Sequence, residues 1–499
     1  MEVSNGMKNS FYITTTLPYV NAPLHMGHAL ELLRADAIAR SKKLAGFDVY
    51  FNTGTDEHGI KIYERAKEEG KEVQNFVDQG FETFKKQLKM FGVSEDVHFV
   101  RTTDPHHIKS AQYFWKLVAD NGFIYKKNYE AKYCIGCESE KTDSELNDSG
   151  ECLVHPGRPL EMIKEENYFF KYSAFGEKLL DFYEKNPKFI VPDFRFNEIK
   201  TFVENGLQDF SISRLKSKMP WGIEVPGDKD HVMYVWFDAL VNYISTLGWP
   251  ENTPHLVEEG VGGGDENLFE KYWVNGNPTQ YCGKDNTRFQ GAMWQAMLFA
   301  AGIPNSHQIV VNGFITGEGG IRMSKTLGNG VDPKDVVDEY SVDALRFFLL
   351  KEVSNFEDSP FTMKRFKDAY NSGLANGLGN LSSRILTLSE KYLEKCPEIP
   401  ARTDFTEYFN IYEEFDLKKV MDFIWGKIQD LDKKIQETEP FKVIKTDEKK
   451  GKEMIKEMVL ELYQIARMLN PVMPETNEKL KKLIKENKKP AEPLFLRKE

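Results

Sequence analysis

Apolar residues along this chain change their spacing several times, and each change marks an element. Phe11 to Thr16 is short, apolar and β-branched, the composition of a buried strand. Pro18 and Pro23 break it. From about Gly27 the spacing becomes helical, with Leu30, Leu33, Ala37 and Ile38 on one face, and Gly46 ends the run. Phe47 to Phe51 reads as a second buried strand. Strand, helix and strand in that order make a βαβ unit, hence a parallel sheet. The second strand leads into Thr53-Gly54-Thr55-Asp56-Glu57-His58-Gly59. Loops at the carboxyl ends of parallel strands form the ligand crevice, so Asp56 and His58 are expected on one rim beside His25 and His28. Residues 60–122 are expected to be mostly helical, with Ile62, Ala66 and Glu69, then Phe76, Phe81, Phe84 and Leu88, at helical spacing. Strands return at 231–236, 279–285 and 308–314, the first two followed by helices. From about 366 only helical stripes remain: Leu374, Leu378, Leu381, Ile385 and Leu388; Leu417, Met421, Ile424, Ile428, Leu431 and Ile435; Met458, Leu462, Ile465 and Leu469. They predict a helical bundle.

Composition narrows the class. A chain of 499 residues is too long for one core. Met1 to Ser10 lacks the apolar centre of a signal peptide, and Ala292 to Ile303, the most apolar stretch, contains Gln295 and is too short to span a bilayer. A soluble, cytoplasmic protein without a membrane partner is expected. The net charge of −11 excludes bulk attraction to nucleic acid, so such a partner needs a local basic patch. Residues 440–499 carry 15 Lys and Arg against 10 Asp and Glu, which fits either such a patch or a solvated face. Five cysteines are not a disulfide framework. Three of them, however, lie in Cys134-Ile135-Gly136-Cys137 and Cys152-Leu153-Val154-His155. Three thiolates and an imidazole on two short knuckles match a closed, structural zinc site with no open position for water. This knuckle falls in an insertion placed at 124–230, between two halves of the sheet.

Two stretches carry candidate phosphate chemistry. His25 and His28 flank Gly27 at a helix start, where free N–H groups and the dipole favour an anion. Alone, they are equally two surface histidines. Gly27 allows a flat group close to the backbone. About 300 residues later, the glycine-hinged loop Thr316 to Asn329 holds Arg322-Met323-Ser324-Lys325-Thr326, whose cations and hydroxyls suit phosphate. In this order the two stretches resemble the HIGH and KMSKS signatures of class I aminoacyl-tRNA synthetases. Leu17-Pro18-Tyr19, Thr53 to Gly59, Tyr234-Val235-Trp236-Phe237-Asp238-Ala239, Gly283-Lys284-Asp285 and Asn312-Gly313-Phe314 narrow the likeness to the methionyl-tRNA synthetase family, over essentially the whole chain. The one-knuckle zinc insertion is similar to that family too.

The resemblance implies an α/β fold: a class I Rossmann-like parallel sheet with a zinc-knuckle insertion, then an α-helical anticodon-binding bundle. The expected divisions are 1–123 and 231–315 for the two sheet halves, 124–230 for the insertion, 316–365 for the signature loop and stem contact, and 366–499 for the bundle. It implies activation of L-methionine by ATP, with Mg²⁺, and transfer to the 3′ end of tRNA(Met). His25, His28 and Lys325 are then catalytic. Gly27, Lys284, Asp285, Arg322, Ser324 and Lys325 bind ATP. Leu17, Tyr19, Asp56, Trp236, Ala239 and Tyr243 hold methionine, Asp56 by its ammonium. Arg214 supports the active site, and Asn380, Arg384 and Phe441 read the anticodon. Cys134, Cys137, Cys152 and His155 hold one structural zinc.

Some positions depart from the family pattern. Arg322 and Thr326 stand where Lys and Ser are common, Gln290 where many members have His, Asn286 where many have an aliphatic residue, and Phe441 where Trp is usual. No further oligonucleotide-binding domain is recognised after the bundle, so a monomer is expected, and the insertion is too small for a separate editing domain. The competing readings are another synthetase of the class, such as the cysteine enzyme; a short nucleotidyltransferase sharing the His-x-Gly-His turn; and a non-catalytic RNA-binding relative.

Overall fold

The structure, a computed structural model, describes residues 9–137, 139–141, 143–251, 267–321, 323, 330–400 and 404–499. Its centre is a six-stranded sheet, parallel throughout. Strand β1 (Ser10–Thr15) lies in the middle, with β2 (Asp48–Thr55) and β3 (His98–Arg101) to one side. Pro278–Gly283, Gln308–Asn312 and Ile190–Val191 follow in order on the other. Helix α1 (Met26–Leu44) crosses from β1 to β2. One apolar core fills the α1 side and runs on into the C-terminal helices; the second covers the opposite face of the sheet.

The expected single apolar face of α1 is incomplete. Leu30, Leu33, Ala37 and Ile38 are buried, but so are Arg34 and Asp36. A charged side chain survives there only with partners. Arg34 donates to Asn312 Oδ1 (2.8 Å) and to the carbonyls of Val353, Ser354 and Asn355. Asp36 pairs with Arg346 at 2.8 Å and accepts from the Ser94 amide and hydroxyl. Burial opposes its charge, but Arg346 and Arg40 outweigh burial and hold its pKa low. The helix is therefore a central strut, tied by charge to segments far away in sequence.

Three further expectations need correction. Within 60–122, helices Ile60–Glu68, Val73–Met90 and Pro105–Asp120 form, but β3 is an unanticipated edge strand. The segment 124–230 does build a separate four-stranded antiparallel sheet. Yet Ile190–Val191 within it returns to the parallel sheet, pairing with Ile309 and Val310. Conversely, the strand expected at 231–236, observed at Asp228–Met233, is not in the parallel sheet; it pairs antiparallel with Ser213–Leu215 and Glu224–Val225.

The C-terminal stripes behave as predicted. The wide helical segment Tyr370–Gly379 and the helices Asn380–Tyr392, Leu417–Thr438 and Glu448–Met468, with Leu469 capping the last, bury those residues, Leu388 only partly. Among the described residues no helix is long and apolar enough to cross a membrane.

Candidate active site and metal site

The crevice opens where β1, β2 and Pro278–Gly283 end. Beyond β1 the chain runs Thr16 to Tyr19. Tyr19 sits in bridge register with Asp56, past the end of β2, where the Asp56 amide donates to the Pro18 carbonyl (3.0 Å) and the Val20 amide to the Asp56 carbonyl (3.3 Å). This extension holds Leu17, Tyr19 and Asp56 side by side. Asp56 is buried, and the Lys61 ammonium lies 5.1 Å above the Tyr19 ring.

The start of α1 is closed by its two histidines. His25 is the N-cap residue, and its Nδ1 accepts from the Gly27 amide (3.1 Å). His28 reaches back so that its Nδ1 accepts from the His25 amide (3.3 Å). This is a capping box in which imidazoles replace the usual hydroxyl and carboxylate. The rings stack at 3.8 Å and 17°. A Cβ on Gly27 would lie 3.0 Å from His25 Cε1, so the glycine makes room for the ring. An Nδ1 that accepts cannot carry the proton. Each neutral ring therefore carries its hydrogen on Nε2, away from the helix, as a donor. Burial first, and the adjacent His25 second, push the His28 pKa well below its usual value, which keeps it neutral.

Around this corner the structure adds residues not anticipated. Glu31, one turn beyond His28, accepts from the Thr16 amide at 2.8 Å, and burial pushes its pKa up to about 8. Its position three residues after His28 in a helix is the signal that could have found it. Lys284, expected to bind ATP, donates to Asp358 Oδ2 (2.7 Å) and lies 4.5 Å over the Phe314 ring. Neighbouring Asp285 is exposed.

On the other wall Trp236 stacks face to face on Phe289, at 3.9 Å and 3°. Ala239 and Tyr243 are buried, and the Tyr243 carbonyl accepts from the Tyr12 hydroxyl at 2.9 Å. The Arg214 guanidinium lies 5.0 Å from both the Tyr133 and Tyr234 rings and donates to Ser211 Oγ and the Ser213 carbonyl. It thus ties the inserted sheet to the segment that carries Trp236. His58, expected on the rim, is instead turned inward: its Nδ1 is 3.2 Å from buried Asp238. Arg322, Ser324, Lys325 and Thr326 lie outside the described residues.

The knuckle brings its four residues together: the donor atoms of Cys134, Cys137, Cys152 and His155 lie within 4.8 Å of one another. Cys137 Sγ is 3.5 Å from Cys152 Sγ and 3.3 Å from His155 Nδ1. A Cβ on Gly136 would stand 2.6 Å from the His155 ring, so only glycine fits that turn. Burial and the Cys152 thiol push the Cys137 pKa up to about 12. Three thiols and an imidazole this close suit a soft, tetrahedral cation, which would remove that penalty.

In the bundle, Asn380 and Arg384 lie one turn apart on Asn380–Tyr392; Asn380 is exposed, and Arg384 is half-buried and pairs with Asp432 on the Leu417–Thr438 helix. Phe441, 38% exposed, sits in the first turn of the next helix. The structure thus joins the end of β1 to the end of β2 and to the start of α1, and carries Asn380, Arg384 and Phe441 on the C-terminal helices.

A parallel sheet whose first strand runs into a two-histidine helix cap, with a helical bundle behind it, defines a class I aminoacyl-tRNA synthetase. The model described as tRNA synthetases class I (M) matches residues 11–386. A methionine–tRNA ligase of Caldanaerobacter subterraneus is 40% identical over 95% of this chain and 74% of its own length; that of Thermotoga maritima is 36% identical over 96% and 76%. The solved Mycobacterium tuberculosis methionyl-tRNA synthetase in complex with methionyl-adenylate superposes with a TM-score of 0.86, at 34% identity, over 95% of this chain and 93% of its own. The chain belongs to the methionine–tRNA ligase family.

Proposed function

We propose that this protein activates L-methionine with ATP and passes the methionyl group to the 3′ end of tRNA(Met). The observation that carries the reading is the two-histidine cap. Attack of a carboxylate on the α-phosphate needs no protein nucleophile, only alignment and donors where charge develops. The His25 and His28 Nε2–H groups, beside the N-terminus of α1, are such donors. Asp56 takes the substrate ammonium, while Leu17, Tyr19, Trp236, Ala239 and Tyr243 enclose the side chain. Gly27 keeps the backbone open to the nucleotide. Lys284 and Asp285, at the end of Pro278–Gly283, take the rest of the nucleotide. Arg322, Ser324 and Lys325 close on the pyrophosphate, and Mg²⁺ enters with ATP as part of the substrate.

Arg214 keeps the insertion registered against the pocket. Zinc held by Cys134, Cys137, Cys152 and His155 supplies cross-linking rather than chemistry, since four protein donors leave it no open position. Asn380, Arg384 and Phe441 face the anticodon, Phe441 by stacking. Pyrophosphate exchange into ATP tests the reading: methionine alone should support it. Faster exchange with leucine or cysteine, or none with any amino acid, rejects it.

A further inference from the structure

Two stretches, Thr53–Gly59 and Tyr234–Ala239, meet through buried side chains to which the reading above gives no role. Asp238 is wholly buried in the short helix Val235–Ala239. Its Oδ2 is 3.2 Å from His58 Nδ1, and its Oδ1 is 3.8 Å from Nε2 of His107, on the helix Pro105–Asp120. Both imidazoles are buried too. Burial opposes a charge on Asp238, but the two imidazoles outweigh burial and hold its pKa low. His107 is itself braced, its Nδ1 2.9 Å from Ser245 Oγ. The carboxylate thus draws the His58 ring inward from a fixed position.

Holding that ring also holds the backbone of His58, and this backbone touches the ammonium site. The His58 amide donates to Asp56 Oδ1 at 3.4 Å. The residue between them is locked as well: buried Glu57 pairs with Arg101 at 2.8 Å, and its carbonyl accepts from Trp221 Nε1 at 2.6 Å. A long backbone bond orients Asp56 only as well as its donor is held. A carboxylate aimed before the ammonium arrives avoids paying for its ordering on binding. Burying an imidazole against a carboxylate costs desolvation that an apolar side chain of similar size would avoid. Packing alone therefore does not call for this pair. Direction does, since the pair ties the segment that carries Asp56 to the one in which Trp236 and Ala239 flank Asp238.

Resting on the methionine reading, we propose that His58 is a positioning residue for the substrate ammonium: anchored through its ring on Asp238, it sets the Asp56 carboxylate through its backbone N–H.

The test is competitive inhibition of pyrophosphate exchange by methioninol, which keeps the ammonium, and by its desamino analogue, which lacks it. In His58→Leu the Ki of methioninol should rise about tenfold, and kcat/KM for methionine should fall about as much, chiefly through KM. The KM for ATP and the Ki of the desamino analogue should stay as they are. His58→Asn, whose amide N–H reaches the Nδ1 position, should recover most of the loss. If the pair only braces the fold, both inhibitors weaken together. That result, an unchanged methioninol Ki, or a His58→Asn variant as weak as His58→Leu overturns the proposal. Should His58→Leu fail to fold, Asp238→Asn decides, because it keeps the shape and removes the charge. The same two inhibitors should then separate about threefold, and no separation overturns the proposal. Wild-type protein that activates no methionine rejects the functional reading itself, before any variant is measured.

Discussion

Two clusters built from metal-ligand residue types use them in opposite ways. At the start of α1, His25 and His28 satisfy the helix: each Nδ1 takes a backbone N–H, and the rings support each other by stacking. What remains is a pair of outward donors. In the knuckle, Cys134, Cys137, Cys152 and His155 crowd sulfur against sulfur and nitrogen, and the Cys137 thiol is driven up to about 12. The first cluster is complete without a ligand and therefore poised for a passing substrate. The second is complete only with a resident cation. Residue type alone does not separate the two clusters; the fate of each lone pair does.

The largest expected effect comes from breaking the knuckle. Structural zinc contributes on the order of 10 kcal/mol in small zinc-folded peptides. Cys152→Ser, or a strong chelator, should release one zinc per chain and make the 124–170 region sensitive to proteolysis; full zinc retention by the variant contradicts the assignment. Next is the cap: His28→Ala should slow adenylate formation about 10²–10³-fold with little change in methionine affinity, measured by single-turnover quench. A comparable loss in both would assign His28 to ground-state binding instead. Smaller still, Phe441→Ala should weaken tRNA binding by about 1–3 kcal/mol, seen as a raised KM for tRNA. Methionine-dependent pyrophosphate exchange should be untouched.

The remaining effects are in pH. His28 resists protonation in the folded state, so below about pH 6.5 the unfolded chain takes up the proton first and stability falls with pH. Glu31 works in the opposite direction. Its folded pKa of about 8 lies above the ordinary 4.5, so its contribution is lost as pH rises between the two. Glu31→Gln should therefore flatten the alkaline side of a melting-temperature profile; an unchanged profile would place the effect elsewhere.

Sequence made the βαβ start, the knuckle and the bundle stripes legible because each is written in local spacing. Other features depend on distant partners. Arg34 and Asp36 look like solvent-facing charges until Asn312 and Arg346, roughly 300 residues on, are brought against them. Ile190–Val191 is two residues long, too short for any pattern, and becomes a strand only because Gln308–Asn312 offers a free edge. His58 was misplaced on the rim because nothing nearby in sequence announces Asp238.

The central claim is that the caps belong to Nδ1 and the chemistry to Nε2–H. It is tested most directly at His28 by single-turnover adenylate formation, read alongside melting temperature, in His28→Asn and His28→Gln. The asparagine oxygen reaches the Nδ1 position, and the glutamine amide nitrogen the Nε2 position. The account predicts that the Asn variant stays stable but is slow, and that the Gln variant is less stable but distinctly faster. An Asn variant as fast as wild type, or faster than the Gln variant, would contradict it.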